Sequence, residues 1–262
     1  MAMIDRVASL LEVFSRHHHL TLAQVSRQAH LPRSSTHRIL QHLVELGWLE
    51  RRGYQYTLGI GMFELGARAV QRSALHQAAL PAMHALHRST GLTVHLSTLV
   101  SSDILHLERI GCWPATGEGW LPASRQPAVH TAAGRALLAQ LEEAEWPEPL
   151  FPPSPASHGL HTRTRLRRAL DAVRDRGGVA IDAGGCAADT TVVAAPIGPP
   201  EGDLRTALSL CGPTGAVQMK QASDTVRIAA MDLWYASSGF NFPRRRTPRL
   251  PIRTAFPATA QK

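Results

Sequence analysis

Between Pro32 and His42 the chain reads Pro-Arg-Ser-Ser-Thr-His-Arg-Ile-Leu-Gln-His. The apolar residues of this run recur at helical spacing, so its polar residues share one outer face. A helix that enters a DNA major groove by its N-terminal end needs polar side chains of useful reach in its first turns. Arg33, Ser34, Ser35, Thr36, His37, Arg38 and Gln41 meet that need, with Thr21 at the start of the preceding helix. The hydroxyls can contact phosphates or base edges. Arg38 has the fork that pairs with guanine O6 and N7, a contact worth about 1–3 kcal/mol of discrimination, and Gln41 has the amide that pairs with adenine. Arg51 and Arg52, followed by Gly53, are expected at the tip of a hairpin, within reach of a phosphate backbone or a minor groove.

Other chemistries find little support. The sequence contains no GxSxG, HExxH, Walker A or GxGxxG motif, so neither an enzyme nor a bound cofactor is expected. His17-His18-His19 lacks a second ligand cluster, and adjacent helical residues point in different directions, so it reads as a solvated helix end rather than a metal site. Cys112, Cys186 and Cys211 have neither disulfide nor zinc-ligand spacing, which suits a reducing cytoplasm. His95, His106 and His130 read as ordinary core or surface histidines, and Cys211 as an inert buried thiol.

The elements that must hold the polar face are legible around it. Ile4, Val7, Leu10, Leu11 and Phe14 mark a first amphipathic helix. Thr21 and Gln24 are spaced as a capping box for a second, with Leu22, Val25 and Ala29 inside. Pro32 suits the first turn of a third, which carries Thr36, Ile39, Leu40, Leu43 and Leu46 inward and stops at Gly47. Trp48-Leu49 and Tyr54–Leu58 then read as strands flanking Arg51-Arg52-Gly53. Three helices and a hairpin make a winged helix-turn-helix. Small-residue-rich helical pattern follows from Gly61 to about Ser89. Beyond it, strands at 92–100, 104–110, 179–181, 191–197 and 205–210 mix with helices at 131–141, 165–176 and 217–235, with a Pro-rich loop at 146–155. This is an α+β pattern.

Charge follows the same division. Residues 1–72 hold 9 Lys/Arg against 5 Asp/Glu, residues 73–240 hold 13 against 15, and residues 241–262 hold 6 against none. Basic ends on a near-neutral middle suit a chain that meets a polyanion with one part only. The tail from Asn241, including Arg244-Arg245-Arg246, is expected to be disordered. No apolar stretch approaches the roughly 20 residues of a membrane span, and the first residues lack the marks of a secretion signal.

The stretches LTLAQVSRQAHLPRSSTHRILQHLVELGWLE and YQYTLG (residues 20–59) resemble the IclR family of transcriptional regulators. So do PAVHTAAGRALLA (127–139), LRRALDAVRDRGGVAID (166–182), TVVAAPI (191–197) and ALSLCGP (207–213). The resemblance implies a DNA-binding domain at 1–60, linker and dimerisation helices at 61–90 and a GAF-like effector-binding domain at 91–240. The implied partners are a double-stranded DNA operator and a small-molecule effector, a carboxylate or aromatic metabolite, bound by a homodimer or homotetramer. Ala132 and Ala133 then correspond to positions whose amides receive a carboxylate, and Asp182, Thr190, Val192, Ser209 and Cys211 to pocket positions. Several residues depart from the family pattern. Ala183-Gly184-Gly185 stand where acidic residues are common, Val192 where Cys is, Cys211 where Ser is, Asp189 and His30 where Gly is, and Arg135 where Lys is. The altered lining admits a larger or more apolar effector than a small keto acid. A stand-alone metabolite-binding module or an enzyme with a helical N-terminal interaction domain is the alternative class, and it lacks a nucleophile–base or metal constellation.

Overall fold

The computed structural model describes residues 2–15, 17–112, 121–148, 162–184, 189–199 and 205–238. The chain forms two compact units that meet in sequence at Ser73/Ala74. The stretch 61–90, expected as one connecting segment, is divided there: α4 (Ile60–Gln71) falls in the first unit and α5 (Ala74–Thr90) in the second. Gly185, Cys186, the Arg244-Arg245-Arg246 run, the 241–262 tail and most of the Pro-rich loop lie outside the described residues.

In the first unit, α1 (Met3–Val13), α2 (Leu22–Gln28) and α3 (Arg33–Glu45) enclose a core of Leu10, Phe14, Leu20, Val25, Ile39, Leu40, Leu43, Leu49 and Tyr56. Strands β1 (Leu20–Thr21), β2 (Leu49–Arg52) and β3 (Gln55–Leu58) form a three-stranded antiparallel sheet in the order β1-β3-β2. Helix α2 ends in a Schellman pattern: Leu31 N–H donates to Ser26 C=O at 3.1 Å and His30 N–H to Arg27 C=O at 3.3 Å. His30 takes the left-handed conformation that this pattern requires, at φ 53°. Gly59 and Gly61 admit a close backbone approach at the start of α4, since a Cβ there would stand 2.4 Å and 2.8 Å from the Gly47 carbonyl oxygen.

The second unit is a three-layer α+β arrangement of GAF-like plan. Strands β4 (Thr93–Val100), β5 (Asp103–Ile110), β6 (Arg125–Pro127), β7 (Ala180–Ala183), β8 (Thr190–Pro196) and β9 (Thr206–Pro213) form one antiparallel sheet, ordered β6-β5-β4-β9-β8-β7. Helices α5 and α8 (Met219–Ser237) cover one face, which presents Val94, Leu96, Val193, Ala195, Leu208 and Leu210. Helices α6 (Ala132–Leu138) and α7 (Arg163–Asp175) cover the other, over Ile104, Ala180, Val192, Ala194, Ala207 and Cys211. No helix among the described residues is long and apolar enough to cross a membrane.

Candidate functional site

Helix α3 owes its position to an inner stripe of Thr36, Ile39, Leu40 and Leu43, all buried. Arg33, Ser34, His37, Arg38 and Gln41 are exposed on the outer side, and Ser35 is half-buried. Thr36 belongs to the inner stripe, as periodicity expects, and not with the groove-facing polar residues. It is 0% exposed, and its hydroxyl donates to the Pro32 carbonyl at 3.1 Å, so it packs the helix start instead of facing a ligand. Thr21 is engaged as well. Its hydroxyl accepts the Gln24 N–H at 3.4 Å and donates to Gln24 Oε1 at 2.9 Å, while Gln24 Oε1 also accepts the Thr21 N–H at 2.8 Å. Such a cap is worth about 1 kcal/mol to the helix. Gln41 Nε2 donates to Glu45 Oε1 at 3.4 Å, and His42 Nδ1 lies 3.2 Å from Glu45 Oε2, which places one carboxylate at the far end of the polar face.

The hairpin differs in register from the sequence-based expectation. Arg52 pairs with Gln55, so the connecting loop is Gly53-Tyr54, and both arginines belong to β2. Gly53 supplies φ 62° at the first loop position, as a type II′ turn requires. Arg51 is exposed too, with its contacts inside the wing: its Nε donates to Gly53 C=O at 2.9 Å, and its guanidinium lies 5.7 Å from the Tyr56 ring centroid. Arg52 reaches Glu50 at 3.2 Å but is 79% exposed as a side chain. The tip itself is Tyr54, 85% exposed. Sequence reasoning placed Tyr54 in a strand; the arginine–glycine cluster drew the turn one step too early.

The positions expected to line an effector site come together on the α6 side of the second unit. Strand register sets three adjacent rows there. Asp182, Val192, Cys211 and Thr93 form one, and Ala180, Ala194, Ser209, His95 and Arg109 the next. Ala207, Ser97 and His106 belong to the third. Ala132, Ala133 and Thr190 are buried with them. Thr131 caps α6 by accepting the Gly134 N–H at 2.9 Å. Asp182 Oδ1 accepts from Arg135 Nη2 at 2.8 Å, and the same guanidinium donates to the Val129 and Ile181 carbonyls, each at 3.3 Å. The charge of Asp182 is therefore compensated within the fold. Asp189, where the family favours glycine, adopts φ 55°. Burial pushes the Cys211 thiol up to about 12, with Arg109 pulling down and Asp182 pushing up, so it is protonated and unreactive at neutral pH. His95 and His106, read from sequence as ordinary histidines, belong to these rows.

The family model for the IclR helix-turn-helix domain matches residues 3–53, and that for the bacterial transcriptional regulator IclR C-terminal domain matches residues 67–233. The chain belongs to the IclR family. It is 30% identical over 149 residues to the HTH-type transcriptional regulator KdgR of Escherichia coli K12, covering 54% of this chain and 57% of that protein. It is 28% identical over 191 residues to the Pca regulon regulatory protein of Pseudomonas putida, covering 70% and 64% respectively. The chain thus spans about three fifths of the length of these curated relatives. An IclR homolog from Microbacterium hydrocarbonoxydans, solved in complex with 4-hydroxybenzoate, superimposes with a TM-score of 0.78. It is 29% identical, and the match covers 91% of this chain and 100% of that one. An IclR transcriptional regulator from Alicyclobacillus acidocaldarius shares the fold at a TM-score of 0.76 and 21% identity, over 89% of this chain and 98% of that one. Among the described residues, no cluster of His, Cys, Asp or Glu could hold a metal ion.

Proposed function

We propose that this IclR-family chain is a sequence-specific DNA-binding transcriptional regulator, responsive to a small-molecule effector bound between α6 and the sheet of its second unit. The observation that carries the reading is α3: a packed inner stripe holds Arg33, Ser34, His37, Arg38 and Gln41 on one exposed face. Arg38 and Gln41 read base edges in the major groove, Arg33, Ser34 and Ser35 fix the helix on phosphates, and Arg52 touches the backbone from the wing. Arg51 serves the wing chiefly as an internal brace.

The regulator works as a dimer. Helix α4 buries none of its residues, yet carries Phe63 at 70% exposed on one face with exposed Ile60 and Val70. An amphipathic helix with an uncovered apolar stripe gains stability by pairing with a second copy. Two copies related by a two-fold axis match a two-fold operator. Effector binding favours one arrangement of the pair over another and so changes the spacing of the two α3 helices. The effector is an aromatic carboxylate, in keeping with the ligand of the Microbacterium homolog.

A gel-shift on the DNA flanking the gene, with and without 4-hydroxybenzoate, tests this reading. Retardation of a discrete fragment that resists random competitor DNA, altered by the ligand, is the expected result. No retardation at low salt would favour a stand-alone metabolite-binding module.

A further inference from the structure

The second unit has a cleft of about 670 Å³ where the chain leaving α6, α7 and β8 meets α8. None of the residues in the three rows under α6 lines it. Its volume is that of a site for a small organic molecule. Ala195 and Pro196 of β8 and Met231 and Trp234 of α8 form an apolar wall. Met231 is exposed and Trp234 half-buried. Gly198 lets the Trp234 ring lie directly on the backbone, since a Cβ there would stand 2.7 Å from Trp234 Cε3. Arg174 is fixed beside them: its Nε donates to Ala139 C=O at 2.9 Å, its Nη2 to Leu141 C=O at 3.1 Å and its Nη1 to Asp171 Oδ1 at 2.9 Å. The wall is therefore held in place by the fold, and Gly177 and Gly178 bring no side chain to fill the space.

Two polar groups lining the cleft are not used up by the fold. Gln140 donates through Nε2 to Gly198 C=O at 3.0 Å, which fixes its amide. Its Oε1 is shielded from solvent and has no hydrogen-bond partner among the described residues. An amide oxygen cut off from water and from any donor destabilises the fold, and such groups are rare without a reason. Arg227 gives Nη2 to Asp224 Oδ1 at 3.4 Å, but both side chains are more than half exposed. A pair of that exposure is weak, and most of the five guanidinium donors stay open. We propose that this cleft is a second ligand site, and that it takes a flat aromatic acid carrying a ring N–H. The ring packs on Trp234, Met231 and Pro196, and the carboxylate pairs with the fork of Arg227. Gln140 is half-buried as a whole, so a slight turn of its amide carries Oε1 to the ligand N–H. A ring N–H donates without bringing a lone pair of its own into the cleft, which a hydroxyl would do. The site is separate from the one between α6 and the sheet and does not depend on what that one binds.

Calorimetric titration of the intact protein with indole-3-acetate, indole and naphthalene-1-acetate tests the assignment. Indole lacks the acid and naphthalene-1-acetate lacks the N–H. Indole-3-acetate is expected to bind at least ~10-fold tighter than either, because each of the others leaves one polar group of the cleft without its partner. In Arg227→Gln the preference over indole should fall to within about 2-fold. Met231→Glu places a carboxylate one helical turn from Arg227, where it takes the guanidinium, and should weaken indole-3-acetate by at least ~10-fold. Both positions are exposed, so the variants should melt with the parent. Saturating 4-hydroxybenzoate should leave indole-3-acetate binding unchanged. No binding of indole-3-acetate, equal binding of the three probes, an affinity unchanged in either variant, or displacement by 4-hydroxybenzoate would overturn the assignment. None of these outcomes bears on whether the chain binds an operator or responds to an effector under α6.

Discussion

His106 is 4% exposed, and its pKa is lowered from 6.5 to about 4, first by burial and second by the positive charge of Arg109. In the unfolded chain the same ring takes a proton near pH 6.5, so acid favours the unfolded state. The stabilisation from keeping it neutral is complete above pH 6.5 and is lost as the pH falls toward 4, by up to roughly 3 kcal/mol. Urea unfolding of the unmodified protein at pH 7.5, 5.5 and 4.5 should follow this course, and His106→Leu should flatten it. At this scale the sequence is an uneven guide. The outward positions of α3 were readable, because helical periodicity assigns Arg38 and Gln41 to a face without knowledge of anything else. Thr36 is inward by periodicity and a ligand contact by residue type alone; the structure keeps the first reading, because its hydroxyl bonds Pro32 C=O. His106, read as a core or surface histidine, is buried, and its partner Ser97 follows from strand register that residue type does not show.

Turns decide how the DNA-facing elements are aimed. His30 occupies a left-handed position closing the helix-turn-helix, a conformation that costs a side-chain-bearing residue but that His tolerates better than a β-branched one. His30→Gly should melt at the same temperature as the parent or slightly above it, with DNA binding intact; a clearly lower melting temperature would mean that the imidazole itself holds the turn. In the wing, Arg52→Ala should weaken binding to operator and random DNA alike and lower the salt dependence by about one counterion, as loss of a phosphate contact does. Fluorescence anisotropy across a salt series measures both. The capping box at Thr21, the stop at Gly47 and the long strands were legible from local chemistry. Strands β1 and β6 were not, because two or three residues carry no period, and the hairpin turn was misplaced because both Gly53 and its neighbours satisfy turn preferences.

Across the whole chain, the division into a basic N-terminal unit and a near-neutral α+β unit was written in charge and periodicity. The boundary inside 61–90 was not, because α4 and α5 are both helical and small-residue-rich, and only their packing assigns them to different units. The exposed stripe of α4 predicts that Phe63→Glu yields a monomer by analytical ultracentrifugation and reduces operator affinity by at least ~10-fold, since half-sites are then bound singly. Whether α3 reads sequence on behalf of a regulator is decided by the affinities of the unmodified protein and Arg38→Ala for operator and for random DNA at a single salt concentration. A loss of about 1–3 kcal/mol per half-site on the operator is expected, with a much smaller loss on random DNA. An equal loss on both would contradict base reading by α3.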